Sequence, residues 1–208
     1  MKFIQKLMDE RFARSASRLM KFACYFIICF FVLCTVLSLM GRQTFFLHTK
    51  TDTFEHAIYA EEDHTGHSRS ITVSMGDDIH VWTNRQDRIS PAVAVGLSLM
   101  YTLHTVPMIL SYCFLSRVFS NVEKGEIFTE QNSAFLLYYG LLRLLGAVLV
   151  PFAKLLICWL VTLVSDSRMS IATGQGVLNT VISGIAFIVA AYIIHYGVHL
   201  QDEVDHTL

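Results

Sequence analysis

The chain has 208 residues, of which 53% are hydrophobic and 16% charged, with a mean hydropathy of +0.49. A soluble domain carries about 25% charged residues, so this composition excludes an ordinary soluble fold and points into a membrane. The net charge of −1 gives no argument for direct nucleic-acid binding.

Three runs lack Asp, Glu, Lys and Arg: residues 22–40, 89–116 and 169–201. A fourth apolar run, 133–164, is interrupted by Arg143 and Lys154. A span needs about 20 apolar residues, so each run is long enough to cross once. The expected fold is an all-α integral membrane protein of four transmembrane helices, with a small β-rich extracytoplasmic loop between helices 1 and 2. The expected spans are residues 22–40, 92–115, 133–164 and 177–200, within a single membrane domain. The first is expected to be retained rather than cleaved. The 21 residues before it are long for a leader and include Asp9 and Glu10, and no A-x-A-like site follows Met40.

Residues 1–21 carry Lys2, Lys6, Arg11, Arg14, Arg18 and Lys21. Phe3, Ile4, Leu7, Met8 and Phe12 recur at roughly helical spacing. The segment reads as an amphipathic interfacial helix leading into the first span, with its cations favouring the cytoplasmic side. Cys24, Cys29, Cys34, Cys113 and Cys158 all fall in predicted spans. They read as small buried apolar residues, and the polar loop has no disulfide framework.

Residues 41–91 form the one sizeable polar region. Alternating runs at 53–60, 70–75 and 79–84 predict short strands, and Gly76-Asp77-Asp78 is a hairpin signal. With about 50 residues and no disulfide, such a loop is not stable alone; it must lean on the membrane or on a sister subunit. The cluster from Glu61 to His67, with His56 and His80 nearby in sequence, has the side chains to hold Zn²⁺ or Cu²⁺. His64 and His67 are its weak metal candidates, but the spacing matches no closed site, and no metal or other cofactor is expected.

The second span contains His104 and Pro107, which should kink or loosen the helix. Residues 116–132 then form a cytoplasmic loop. Thr129 is a good N-cap for the third helix, its hydroxyl accepting from the amide of Asn132, and Glu130 suits the first turn. From Ser133 that helix runs for about 32 residues, roughly 48 Å, against a hydrocarbon core of about 30 Å. Its first turns therefore lie at the interface, where Arg143 snorkels.

Lys154 is different. A lysine in mid-membrane costs about 2.5–3.5 kcal/mol on insertion scales, so it should face other helices or a wet cavity. No span contains an Asp or Glu to pair with it; polar groups on other helices include His104, Ser111, Asn179 and Ser183. Residues 165–176 are a short outer loop. The fourth span carries Gly184, Ala186, Ala190 and Ala191 as small packing positions. His195 and His199 stand one turn apart, a spacing used in metal-binding helices, but no third ligand is evident in sequence. The tail, 201–208, is short and acidic. The positive-inside rule places both termini in the cytoplasm.

Two segments carry a family resemblance. One is Lys124-Gly125-Glu126-Ile127-Phe128-Thr129-Glu130-Gln131-Asn132. The other runs from Tyr196 to Leu208. They resemble the bacterial four-span membrane family called domain of unknown function 2975, with its G-x-x-F-x-x-x-N and G-x-x-L-Q-x-E-x-D-x-T-[VL] patterns. Gly125, Phe128 and Asn132 match the first pattern. Gly197, Leu200, Gln201, Glu203, Asp205, Thr207 and Leu208 match the second, and His206 stands where a leucine is common. The resemblance implies one span, an outer loop and three further spans. It also implies partnership with a small cytoplasmic helix-turn-helix regulator of the Xre type. In the expected topology both segments are cytoplasmic.

No nucleophile arrangement or phosphate-binding glycine loop is present; Gly174-x-Gly176 alone is far too weak. The leading expectation is a non-catalytic inner-membrane sensor or regulator acting through a cytoplasmic transcription-factor partner. A second is an immunity protein against a membrane-active peptide or toxin, contacted through the outer loop. A third is a transporter or channel subunit built around Lys154 and His104, which would require a homo-oligomer.

Overall fold

In a computed structural model of the chain, the described residues are 10–41, 43–48, 54–58, 71–72, 78–82, 90–165, 168–172 and 176–207. Among these residues are four long helices: α1 (Glu10–Leu39), α2 (Pro91–Lys124), α3 (Glu130–Val164) and α4 (Val177–Thr207). All four are long and apolar enough to cross a membrane. Only 11–33% of each apolar window is buried against the rest of the chain. The remainder is Leu, Ile, Val and Phe surface such as Phe26, Phe152 and Leu178, which needs lipid to cover it.

Two helices differ from expectation. Residues 10–21, expected to belong to an interfacial helix, are continuous with the first span in α1; the rest of that expected helix, residues 1–9, lies outside the described residues. Residues 116–124, expected as a loop, continue α2. The connection to α3 shrinks to residues 125–129. Both α2 and α3 pass through an internal proline, Pro107 and Pro151, without ending.

The chain divides into two compact units. One comprises Phe31–Val106 and Gly146–Leu178. It contains a sheet of β1 (Gln43–His48), β2 (Phe54–Ile58), β3 (Ile71–Thr72), β4 (Asp78–Trp82) and β5 (Arg168–Ala172), in the order β2-β1-β4-β5 with β3 beside β1. This corrects the expectation of a small β-rich loop confined to the connection between helices 1 and 2. Among the described residues between α1 and α2, the only antiparallel pairing is the β1–β2 hairpin. The longest partner of β4 is β5, antiparallel over five pairs from Asp78↔Ala172 to Trp82↔Arg168, and β5 lies after α3. The stretch expected as a bare outer loop thus supplies a strand. The hairpin expected around Gly76-Asp77-Asp78 falls largely outside the described residues. The β4–β5 ladder requires the connections α1–α2 and α3–α4 to share one side of the membrane, as four crossings demand.

Strand alternation explains what holds this sheet. Ile79 and Val81 on β4, and Met169 and Ile171 on β5, point to one buried face. They join Cys34 of α1, Val93, Leu97, Met100 and Tyr101 of α2, and Ile157, Cys158 and Val161 of α3 in one cluster. The sheet leans on its own chain's helices. Within this unit α2 and α3 approach closely at Gly96, where an added Cβ would stand 2.6 Å from Val161 Cγ2. Polar contacts tie α1 to α2: Thr35 and Thr105 share a hydroxyl hydrogen bond of 2.9 Å, and Ser98 Oγ donates to the Ser38 carbonyl.

The other unit comprises Met1–Phe30, Pro107–Leu145 and Asn179–Leu208. Its core is Cys24, Leu115, Val118, Leu136, Tyr139 and Ala191, with the Tyr139 ring edge-on to Phe187 at 4.4 Å between centroids. Here α3 and α4 cross at glycines. A Cβ on Gly140 would meet the Gly184 carbonyl at 2.8 Å, and one on Gly184 would meet the Gly140 carbonyl at 3.1 Å. Of the four small positions expected on the last helix, Gly184 and Ala191 are buried, while Ala186 is exposed. Cys24, Cys34 and Cys158 are buried as expected; Cys29 is exposed and Cys113 half-buried, and all five are free thiols.

Candidate functional site

Among the described residues, the most organised polar site is the turn between α2 and α3. Its residues come from the first family-like segment. The helix end explains Gly125. The amide of Gly125 donates to the Val122 carbonyl, and that of Glu126 donates to the Asn121 carbonyl. This paired closure needs a left-handed residue just past the helix, and Gly125 has φ of 93°.

Asn132 holds the turn that follows. It is fully buried. Its Nδ2 donates to the carbonyls of Glu126, at 2.6 Å, and Ile127, at 3.0 Å. Its Oδ1 accepts from Asn121 Nδ2 at 2.8 Å. Its amide donates to Thr129 Oγ1 at 3.2 Å, the cap expected from sequence. One amide side chain therefore satisfies three polar groups that a tight turn would otherwise bury unpaired.

The second family-like segment meets this turn. An added Cβ at Gly197 would lie 3.0 Å from Phe128 Cδ1 and 3.2 Å from Phe128 Cε1. The aromatic ring of the first segment thus rests where the second has no side chain. Ser133 Oγ adds a bond to the Ala191 carbonyl, 2.9 Å. Phe128 still has 53% of its surface exposed, and Glu126, Ile127, Glu130 and Gln131 are exposed around it. Glu203 is exposed. The side chains of Gln201 and Asp205 lie outside the described residues, as do His64 and His67.

Two electrostatic groups flank the turn. The Glu123 carboxylate, in the last turn of α2, bridges Arg18 and Lys21 of α1. The charged end of α2 is thus paired with cations about a hundred residues earlier in sequence. The second group is new. His195 and His199 on α4 bring their Nε2 atoms within 3.2 Å. The Glu130 carboxylate, at the start of α3, joins them, all three ligand atoms lying within 4.8 Å of one another. Glu130 is the third group with a donor atom near the pair, which the sequence did not reveal.

In the other unit, Lys154 is 3% exposed. It shares the inward face of α3 with Val150, Ile157, Cys158 and Val161, a helical i, i+3, i+4, i+7 series. The expectation that it faces the interior holds. His104, in the same unit, is half-buried. Asn179 is exposed, so it is no part of a buried polar interior. Arg143 is half-buried, and its Nε has no hydrogen-bond partner among the described residues.

These features define a class: a multi-pass helical membrane protein whose best-organised polar site is an interhelical turn packed on its last helix. No protein-family model, no curated protein and no solved structure matches the chain.

Proposed function

We propose that this protein is a bacterial inner-membrane sensor or regulator, of the four-span family it resembles, that acts through a small cytoplasmic partner. In this reading both termini and the α2–α3 turn are cytoplasmic, on the strength of the cations in residues 1–21. The sheet is extracytoplasmic and receives the signal.

The observation that supports the reading is the seating of Phe128 on Gly197. It brings together the two segments that carry the resemblance and leaves a half-exposed aromatic ring among Ile127, Glu126 and Gln131. An exposed aromatic with acidic neighbours is a suitable anchor for a small basic DNA-binding protein. A signal acts only if it binds the two arrangements of the turn unequally.

The test is co-purification of the full-length protein, in membranes, with small helix-turn-helix proteins encoded beside its gene. Retention that is lost in Phe128→Ala supports the reading. Failure to retain any of them, with the turn intact, removes it.

A further inference from the structure

We propose that Glu130, His195 and His199 form a binding site for a divalent first-row transition ion of the Zn²⁺ type. The proposal goes beyond the regulatory reading and does not depend on it.

Helical spacing supplies the first half of the site. Residues four apart stand one above the other on a helix face, so His195 and His199 project from one side of α4. Their Nε2 atoms are 3.2 Å apart. Two imidazole nitrogens bound to one tetrahedral ion at about 2.0–2.1 Å are separated by about 3.3 Å. The pair already has the bite of a chelate. The rings stand at 80° to one another, so the nitrogens converge without stacking.

Tertiary structure supplies the second half. Glu130 is the first residue of α3, and its carboxylate reaches the same group. A side chain in the first turn of a helix, exposed as this one is, has the rotamer freedom to close the last ångström. Two imidazoles and one carboxylate are a donor set for Zn²⁺ and its neighbours, not for Mg²⁺ or Ca²⁺, which take all-oxygen sites. With three protein ligands the ion keeps a position open to water or a fourth group.

The competing account of the short N–N distance is a single hydrogen bond between neutral rings. That account gives Glu130 no role and predicts no metal.

The consequence is mechanical. The ion would bridge the first turn of α3 to the C-terminal half of α4, beside the Phe128–Gly197 contact. Occupancy would fasten the turn to the helix, and removal would leave that contact to packing alone.

The experiment is Zn²⁺ titration of the full-length protein in detergent micelles, stripped with chelator and carrying no polyhistidine tag. Calorimetry gives affinity, and thermal unfolding is followed with and without Zn²⁺. Wild type should bind Zn²⁺ and melt at a higher temperature when loaded. His195→Gln/His199→Gln and Glu130→Gln should each weaken binding by roughly 10–100-fold or more, a loss that even outer partners of metal ligands produce. Both variants should lose the Zn²⁺-dependent rise in melting temperature while melting close to wild type in chelator. His64→Gln/His67→Gln should bind as wild type does. Unchanged affinity in either triad variant overturns the proposal, as does loss of binding in the His64/His67 variant.

Discussion

The Phe128 ring lies against the backbone of Gly197, 3.0 Å from where a Cβ would sit. A helix interior is a poor place for glycine, which costs about 1 kcal/mol against alanine there. Its presence 20 residues into α4 is explained by this contact. Gly197→Ala should therefore change stability little, since the gain in helix propensity offsets a tight contact with a ring that can shift. Gly197→Leu should destabilise by about 1–3 kcal/mol. Phe128→Ala in the same chain should recover most of that loss. Thermal unfolding in detergent of wild type, Gly197→Ala, Gly197→Leu, Phe128→Ala and the Gly197→Leu/Phe128→Ala double variant checks this, and additive losses would show that the two residues do not interact.

Asn132→Ala should cost about 1–3 kcal/mol, because three partners lose their hydrogen bonds to a fully buried side chain. Asn132→Asp should be no better. A carboxylate cannot donate to Glu126 and Ile127, and it would face their carbonyl oxygens directly. Denaturant titration of both variants tests this; a near-native Asn132→Asp would mean that the turn does not depend on donation from residue 132.

Gly140→Val should be among the most damaging single changes in its unit. The added carbon atoms would fall on the Gly184 carbonyl and on Ile188, with Cγ1 of Ile188 2.7 Å from the first of them. Backbone on both helices would have to move, at about 1–3 kcal/mol or more. A wild-type melting temperature would show that α3 and α4 do not pack there.

At Lys154 the order of effects is the prediction. Lys154→Ala should cost about 2–4 kcal/mol, in line with other large-to-small changes at closed sites. Lys154→Met, which keeps the length of the chain, should cost clearly less. If the alanine variant is as stable as wild type, the side chain is not packed. If the methionine variant folds normally but abolishes the cellular phenotype, the ammonium group itself is required.

Glu123→Gln should lower the melting temperature modestly at low ionic strength and hardly at all near 1 M salt. Surface ion pairs are screened as the Debye length falls from about 30 Å at 0.01 M to about 3 Å at 1 M. The bridged pair Arg18 and Lys21 would then repel without compensation only in dilute buffer. A loss of stability independent of salt would assign Glu123 a packing role instead.

The spans were legible because charge-free runs are a local property, and the Thr129 cap because it links residues three apart. What escaped the sequence was long-range. Residues 116–124 read as a loop because they are charged, yet Glu123 is held by Arg18 and Lys21. Gly125 after Lys124 was a readable helix stop, and weighing it would have placed the end of α2 correctly. The five residues of β5 alternate buried and exposed, but so short a run between two spans is indistinguishable from a turn until β4 is beside it. Glu130 and His195 stand 65 positions apart in the sequence, and nothing local connects them. Asn179 looked like an internal polar group because it lies in an apolar run; which face of α4 it occupies is decided by packing at Gly184 and Ala191.

The pairing of β4 with β5 also sets an order of assembly. β4 is synthesised soon after the first span, whereas β5 follows the third. Between those moments the edge of β4 that β5 will occupy presents open backbone donors and acceptors, the kind of edge that recruits foreign strands. Closure of the sheet must wait until α2 and α3 have been made and residues 168–172 have reached it. Nascent chains that stop short of β5 should therefore be the aggregation-prone ones, and completion of this ladder marks the point at which the growing polypeptide becomes safe from its neighbours.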